Sequence, residues 1–216
     1  MVIAVICEGE TEETFIKRIL SPDLESHGKT LKPFLLGGLE QGGYPKLAKE
    51  VRKRLHERGI AYVTTMVDLY GLPKNFPQKS TAPSEPYERV QFLEEAFAKD
   101  IGNERFIPHI MLHEFETLLL APPALKLIPE RAKREKRPLN SDAWRQLSKE
   151  VQEKGAELIN GGVNSHPAAR LEKAWPGYKK TLDGIEILKA VSLEAVMADC
   201  THFERWVKRL RGLHGA

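Results

Sequence analysis

The chain is poor in the features that assign many proteins at a glance. It has two cysteines in 216 residues, Cys7 and Cys200. Thiols so far apart do not make a disulfide framework, and they lack the paired spacing of a zinc site. A reducing, cytoplasmic setting is therefore expected. No apolar run approaches the roughly 18 residues a membrane helix requires, so no membrane partner is expected. No basic leader precedes the first apolar segment, which argues against a signal peptide. Charge of one sign is also lacking. There are 33 Lys and Arg against 30 Asp and Glu, a formal net charge of +3. That balance neither diagnoses nor excludes a nucleic-acid binder; the local distribution decides. No Gly-x-Ser-x-Gly elbow, Ser-His-Asp set or Walker-type phosphate loop is present, so the chain is not expected to be an ATPase itself.

What is present is a repeated pattern of apolar strand followed by acid. Val2 to Cys7 is a short continuous apolar run that ends at Glu8 and Gly9. Such a run reads as a buried strand of a parallel sheet. A helix is expected from about Glu10 or Thr11, with Phe15, Ile16, Ile19 and Leu20 on one face, ended or kinked at Ser21-Pro22. Further strands are expected over residues 31–36, 61–67 and 106–112, with helices over 45–58 and 84–101 between them. Strands alternating with helices imply βαβ units and a mostly parallel, four-stranded α/β sheet flanked by helices. Beyond about Pro122 no strand is evident. Helices are expected over 141–154, 167–174, 182–190 and 192–210, with a break at Gly161-Gly162. The organisation expected is an α/β domain over 1–121 and a helical C-terminal region over 122–216.

Three strands end in acid: Glu8, then Asp68, then Glu114 with Glu116. If those strands are parallel neighbours, the carboxylates meet at the carboxyl edge of the sheet, where α/β proteins place ligands. Converging carboxylates repel one another, and a hard cation relieves this. Mg²⁺ takes one or two carboxylates, keeps several waters and binds a substrate phosphate. The plainer alternative is a set of solvated acids in loops. Gly9 after the carboxylate permits close backbone approach and positive φ. The amino end of the following helix could hold a phosphate through Gly9 and Thr11, while Thr11 also suits a simple N-cap.

The segment Glu8-Gly9-x-Thr11-Glu12 after an apolar strand resembles the first motif of Toprim domains, found in topoisomerases, primases and OLD-family nucleases. Val67-Asp68-Leu69-Tyr70-Gly71 resembles their second motif, in which two aspartates usually flank one residue. More closely, the chain resembles a bacterial family of Toprim-like proteins of unknown function, often encoded beside ATPases in phage-defence contexts. Asp-x-Tyr-Gly, His113-Glu114-Phe115-Glu116 and Cys200-x-x-Phe203-x-x-Trp206 carry that resemblance. It implies a Toprim-like fold and a Mg²⁺- or Mn²⁺-dependent site that cleaves phosphodiesters. Glu8 would be a general acid/base or metal ligand, and Asp68 a metal ligand. Tyr70 stands where the second aspartate is expected, and a tyrosine cannot replace a carboxylate on a hard metal at neutral pH. Glu114, and nearly equally Glu116, would supply the missing charge. On a helix, His113 and Glu116 would share a face. The partners implied are nucleic acid and a partner ATPase, with a homodimer left open. The alternative is a non-catalytic module that binds nucleic acid or regulates a partner on a degenerate Toprim fold.

Weaker signals lie in the second half. Arg131, Lys133, Arg134, Lys136 and Arg137 could contact a phosphate backbone, or form an ordinary solvated segment interrupted by Glu130 and Glu135. Ser165-His166-Pro167-x-x-Arg170 reads as a helix start, with Arg170 aimed at a bound phosphate or simply on a capped surface helix. Lys179, in Tyr178-Lys179-Lys180, is a further phosphate candidate. Phe203, Trp206 and Val207 have the spacing of a core face rather than a stacking platform.

Overall fold

A computed structural model describes residues 1–39, 42–159 and 166–214. The Gly161-Gly162 break and Ser165 lie outside the described residues. The chain forms two compact units, Met1–Leu112 with the segment from Trp206 onward, and His113–Arg205.

In the first unit, β1 (Val2–Cys7) is buried from Ile3 to Cys7. A strand apolar on both faces needs cover on both, which is the condition of a central parallel strand. It is followed by α1 (Glu10–Phe15), a five-residue π-helical turn over Ile16–Leu20, and α2 (Ser21–Ser26). The helical run therefore crosses Pro22 instead of ending there. The widened turn bonds the Ser21 N–H to the Ile16 carbonyl, and Pro22 falls in the first turn of α2, where no N–H is required.

β1 pairs in parallel with β2 (Thr30–Leu35) on one side and β3 (Tyr62–Asp68) on the other. Between them runs α3 (Gly43–Leu55), and α4 (Pro86–Ile101) follows β3. β4 (Phe106–Ile107) and β5 (Ile110–Met111) both pair with β3 in parallel. The order is β2-β1-β3-β4, with β5 beside β3, an α/β sheet flanked by helices. Leu47 and Val51 of α3 and Val90, Leu93 and Phe97 of α4 share one buried cluster with Ala4, Ile6, Val63 and Val67 of the strands.

The single strand expected over 106–112 is two short pieces. Pro108 has no N–H for the ladder, and the break is closed by a side chain. Thr65 Oγ1 accepts from the His109 N–H at 3.0 Å and donates to the His109 carbonyl at 2.8 Å. Trp206 of the terminal segment is buried in this unit. Its Nε1 donates to Thr64 Oγ1 at 2.8 Å, and its ring stacks on His109 at 4.2 Å. It is core, as its spacing implies.

The second unit is helical, and no strand occurs among its described residues. It contains α5 (Thr117–Leu120), α6 (Pro122–Leu125), α7 (Ile128–Arg134), α8 (Ser141–Lys154), α9 (Pro167–Ala174), α10 (Ile185–Lys189) and α11 (Leu193–Met197), and α12 (Thr201–Arg211) begins within it. α8 and α9 have the bounds that their sequence pattern predicts. Two buried carboxylates tie the short helices. Glu157 accepts from the N–H groups of His202 and Phe203 at 3.0–3.1 Å, satisfying the first turn of α12. Asp183, fully buried, is held by Arg137 at 2.8 and 2.9 Å, Arg131 at 3.3 Å and the Lys179 N–H at 2.8 Å.

Candidate functional site

β1 ends at Cys7, and β3 runs on to Asp68, two residues beyond the residue that faces Cys7. Cys7 lies opposite Met66, and the ladder continues with the Glu8 N–H donating to the Met66 carbonyl at 3.2 Å. The chain leaves β1 for β2 on one side, while β3 lies on the other. Strand order thus reverses between β1 and β3, and the crevice beyond such a point is the usual ligand position of open α/β sheets. Glu8 and Asp68 both stand there. Glu8 Oε2 accepts from the Asp68 backbone N–H at 3.0 Å.

The loop after Asp68 is shaped around Glu8. A Cβ built on Gly71 would lie 2.7 Å from Glu8 Oε1 and 3.0 Å from Oε2. A side chain there would push the carboxylate aside, so Gly71 lets the loop approach Glu8 closely. The loop is anchored beyond this point. Phe76 is buried edge-on against Tyr44 at 5.2 Å and Phe97 at 5.3 Å. Lys79 donates to the Leu72 carbonyl, and Arg89 donates to the Pro83 carbonyl at 3.0 Å. Burial beside Arg89 lowers the Lys79 ammonium below its ordinary value.

Behind Glu8, the chain after β2 turns through Gly38, whose φ of +79° suits glycine. The Gly38 N–H donates to the Glu8 carbonyl at 3.0 Å, and Lys46 Nζ donates to the Gly38 carbonyl at 3.0 Å. The backbone of Glu8 is thereby held by both neighbouring segments. Tyr70, two residues after Asp68, is 40% exposed.

Gly9 differs from its sequence expectation. Its φ is −138°, an extended conformation that needs no glycine. Its N–H donates to Glu12 Oε2 at 2.9 Å, half of a capping box. Gly9, not Thr11, is the N-cap, and Thr11 is buried in the first turn.

Glu114 and Glu116 belong to the second unit and have partners within it. Glu114 Oε2 lies 2.8 Å from His166 Nδ1 and accepts from the Ala168 N–H at 3.0 Å, at the start of α9. Glu116 is buried 3.4 Å from Lys180 Nζ. Burial pushes the Glu116 carboxyl above its ordinary value, and Lys180 only partly opposes this. His113 to Glu116 is not a helix, so the condition for a shared face is not met. His113 has a φ of +71°, so His113 and Glu116 share no helix face. His113 Nε2 is 3.1 Å from the Glu157 carbonyl, and burial lowers the imidazole below its ordinary value.

Arg170 is ion-paired to Glu150 at 2.5 Å. Lys179 is exposed, and its backbone closes the turn around Asp183. Of the basic stretch, Arg131 and Arg137 turn inward to Asp183, while Lys133, Arg134 and Lys136 are exposed. The helix start read at Ser165-His166-Pro167 places Ser165 or His166 near the cap, and His166 is the N-cap of α9. Sequence reasoning missed the roles of Gly71 and Asp183. Gly71 had a signal, an Asp-x-x-Gly spacing after a strand; Asp183 had none beyond residue type.

No curated protein and no solved structure matches the chain. A family model described as a domain of unknown function (DUF4276) matches residues 7–211. Matched over nearly its whole length, the chain belongs to the DUF4276 family.

Proposed function

We propose that the protein is a divalent-metal-dependent nuclease of Toprim type, with Glu8 and Asp68 as its acidic pair. The observation that carries this reading is the placement of both residues at the carboxyl ends of β1 and β3, where strand order reverses. The donors suit Mg²⁺ or Mn²⁺, which favour carboxylate oxygens. Asp68 would hold the metal. Glu8 would share it, or exchange a proton with the attacking water or the leaving oxygen. When bound, the ion would supply Lewis-acid stabilisation of the phosphoryl oxygens. Glu114 and Glu116 are not included in this set, because each has its own partners in the second unit. The sequence resemblance also supports an ATPase as the partner, in a phage-defence role.

Tyr70 favours a second reading, a non-catalytic module that binds nucleic acid or regulates that partner. The test is cleavage of single- and double-stranded DNA and RNA with Mg²⁺ or Mn²⁺, by wild type and Glu8→Gln. General acid–base groups contribute about 10²–10⁴-fold, and a loss of that size is expected. Equal cleavage by both proteins overturns the nuclease reading. Binding that survives EDTA and Glu8→Gln, without cleavage, favours the second.

A further inference from the structure

The basic residues of the second unit are not spread evenly. From Arg131 to Lys149 there are seven basic residues against two acidic ones, a local excess greater than the +3 of the whole chain. Arg131 and Arg137 are spent on Asp183. Lys133, Lys136, Arg145 and Lys149 line two shallow grooves along α7 and α8 that meet at Leu139 and Ser141, and Arg134 lies outside both. One, of about 430 Å³, is lined by Lys133 and Lys136; the other, of about 550 Å³, by Trp144, Arg145 and Lys149. Neither is lined by an aspartate or a glutamate.

Two details set this surface apart from an ordinary solvated face. Lys136 has a φ of +54°, in the position after α7 where glycine is usual. A lysine there keeps a cation at the groove in spite of backbone strain. Trp144 is half-buried and lines the second groove with Arg145 and Lys149, whereas Trp175 and Trp206 are both buried. Asp142 and Glu153 do pair with Arg145 at 3.3 Å and Lys149 at 3.8 Å. These pairs are exposed and weak, so both cations can turn to a phosphate.

We infer that the joined grooves bind single-stranded nucleic acid, with Lys133, Lys136, Arg145 and Lys149 on phosphates and Trp144 stacked on a base. From Ser141 to Gln152 the helix spans about 16 Å, room for a few extended nucleotides. A duplex hides the base faces that Trp144 would meet, whereas every base of a single strand offers a π-face. This surface does not depend on the Glu8–Asp68 centre, and its binding is measured without metal.

Trp144 is the reporter. Titration of the full chain in EDTA with oligothymidylate or oligouridylate should quench its fluorescence, and the two arms distinguish DNA from RNA. Trp144→Ala should weaken binding about 5- to 150-fold, with Trp144→Phe retaining most of it. Each phosphate contact adds about −0.7 to the slope of log affinity against log salt, so Lys136→Ala should flatten it by about that amount. Lys136→Glu with Lys149→Glu, both exposed and expected to fold, should abolish binding. Three results overturn the inference: no binding of either oligonucleotide, unchanged affinity in the double charge reversal, or equal competition by polyglutamate. The last would mean an acidic protein partner. Failure of cleavage with binding intact would overturn the nuclease reading alone.

Discussion

Gly71→Ala separates the geometry of the acidic pair from its chemistry. The substitution removes no candidate ligand. It places a Cβ 2.7 Å from Glu8 Oε1 and 3.0 Å from Oε2, closer than carbon and oxygen tolerate. The carboxylate is the far end of a flexible side chain, so it should move while the backbone stays. Moving it breaks the 3.0 Å bond from the Asp68 N–H. A hydrogen bond to a charged group contributes about 1.5–3 kcal/mol, and an off-rotamer side chain costs about 0.5–1.5 kcal/mol. Reduced freedom of the unfolded chain returns about 0.4–1 kcal/mol. The net expected loss is about 1–4 kcal/mol, measurable by urea denaturation. The fold should survive, while Mn²⁺ affinity and cleavage should fall together. A Gly71→Ala protein with wild-type Mn²⁺ affinity and cleavage would refute the reasoning, because the displaced Glu8 would then be irrelevant to the site.

Further expectations concern the second unit. Asp183→Ala strands two arginines and should cost about 3 kcal/mol, the low end for a buried pair because Arg137 reaches solvent. Burial alone would raise the Asp183 carboxyl, but Arg137, the Lys179 N–H and Arg131 outweigh it and hold it below the usual range. A depressed folded value means that its stabilisation is complete above the unfolded value of about 3.9 and is lost as pH falls through the folded one. Denaturation curves of wild type and variant should therefore converge in acid. The Glu116 carboxyl is shifted the opposite way, upward by burial against Lys180. Its contribution is greatest below the unfolded value of about 4.3 and declines as pH rises through the folded value, so Glu116→Gln should flatten stability against pH across that window. An unchanged slope would contradict the assignment.

The sheet was legible because its signal is local. A run such as Val2 to Cys7, apolar on both faces, has few homes other than a central parallel strand. The fourth strand was misjudged because closure at Pro108 depends on a hydroxyl, Thr65, from a neighbouring strand. Continuation through Pro22 depends on a change of helix pitch that no composition reveals. At the site, Glu8 and Asp68 could be named from strand ends alone. The steric demand at Gly71 could not, since it is set by a carboxylate on another strand. The basic run from Arg131 to Arg137 shows the same limit. Which cations turn inward was decided by Asp183, distant in sequence and invisible as a partner until the chain folds.

The central claim is that Glu8 and Asp68 together hold a divalent metal. Mn²⁺ titration followed by electron paramagnetic resonance reads bound against free ion directly. Wild type should bind, and Glu8→Gln and Asp68→Asn should each weaken binding by at least about 10–100-fold, the loss seen when even an indirect metal contact is removed. No binding by wild type, or wild-type affinity in either variant, would contradict it.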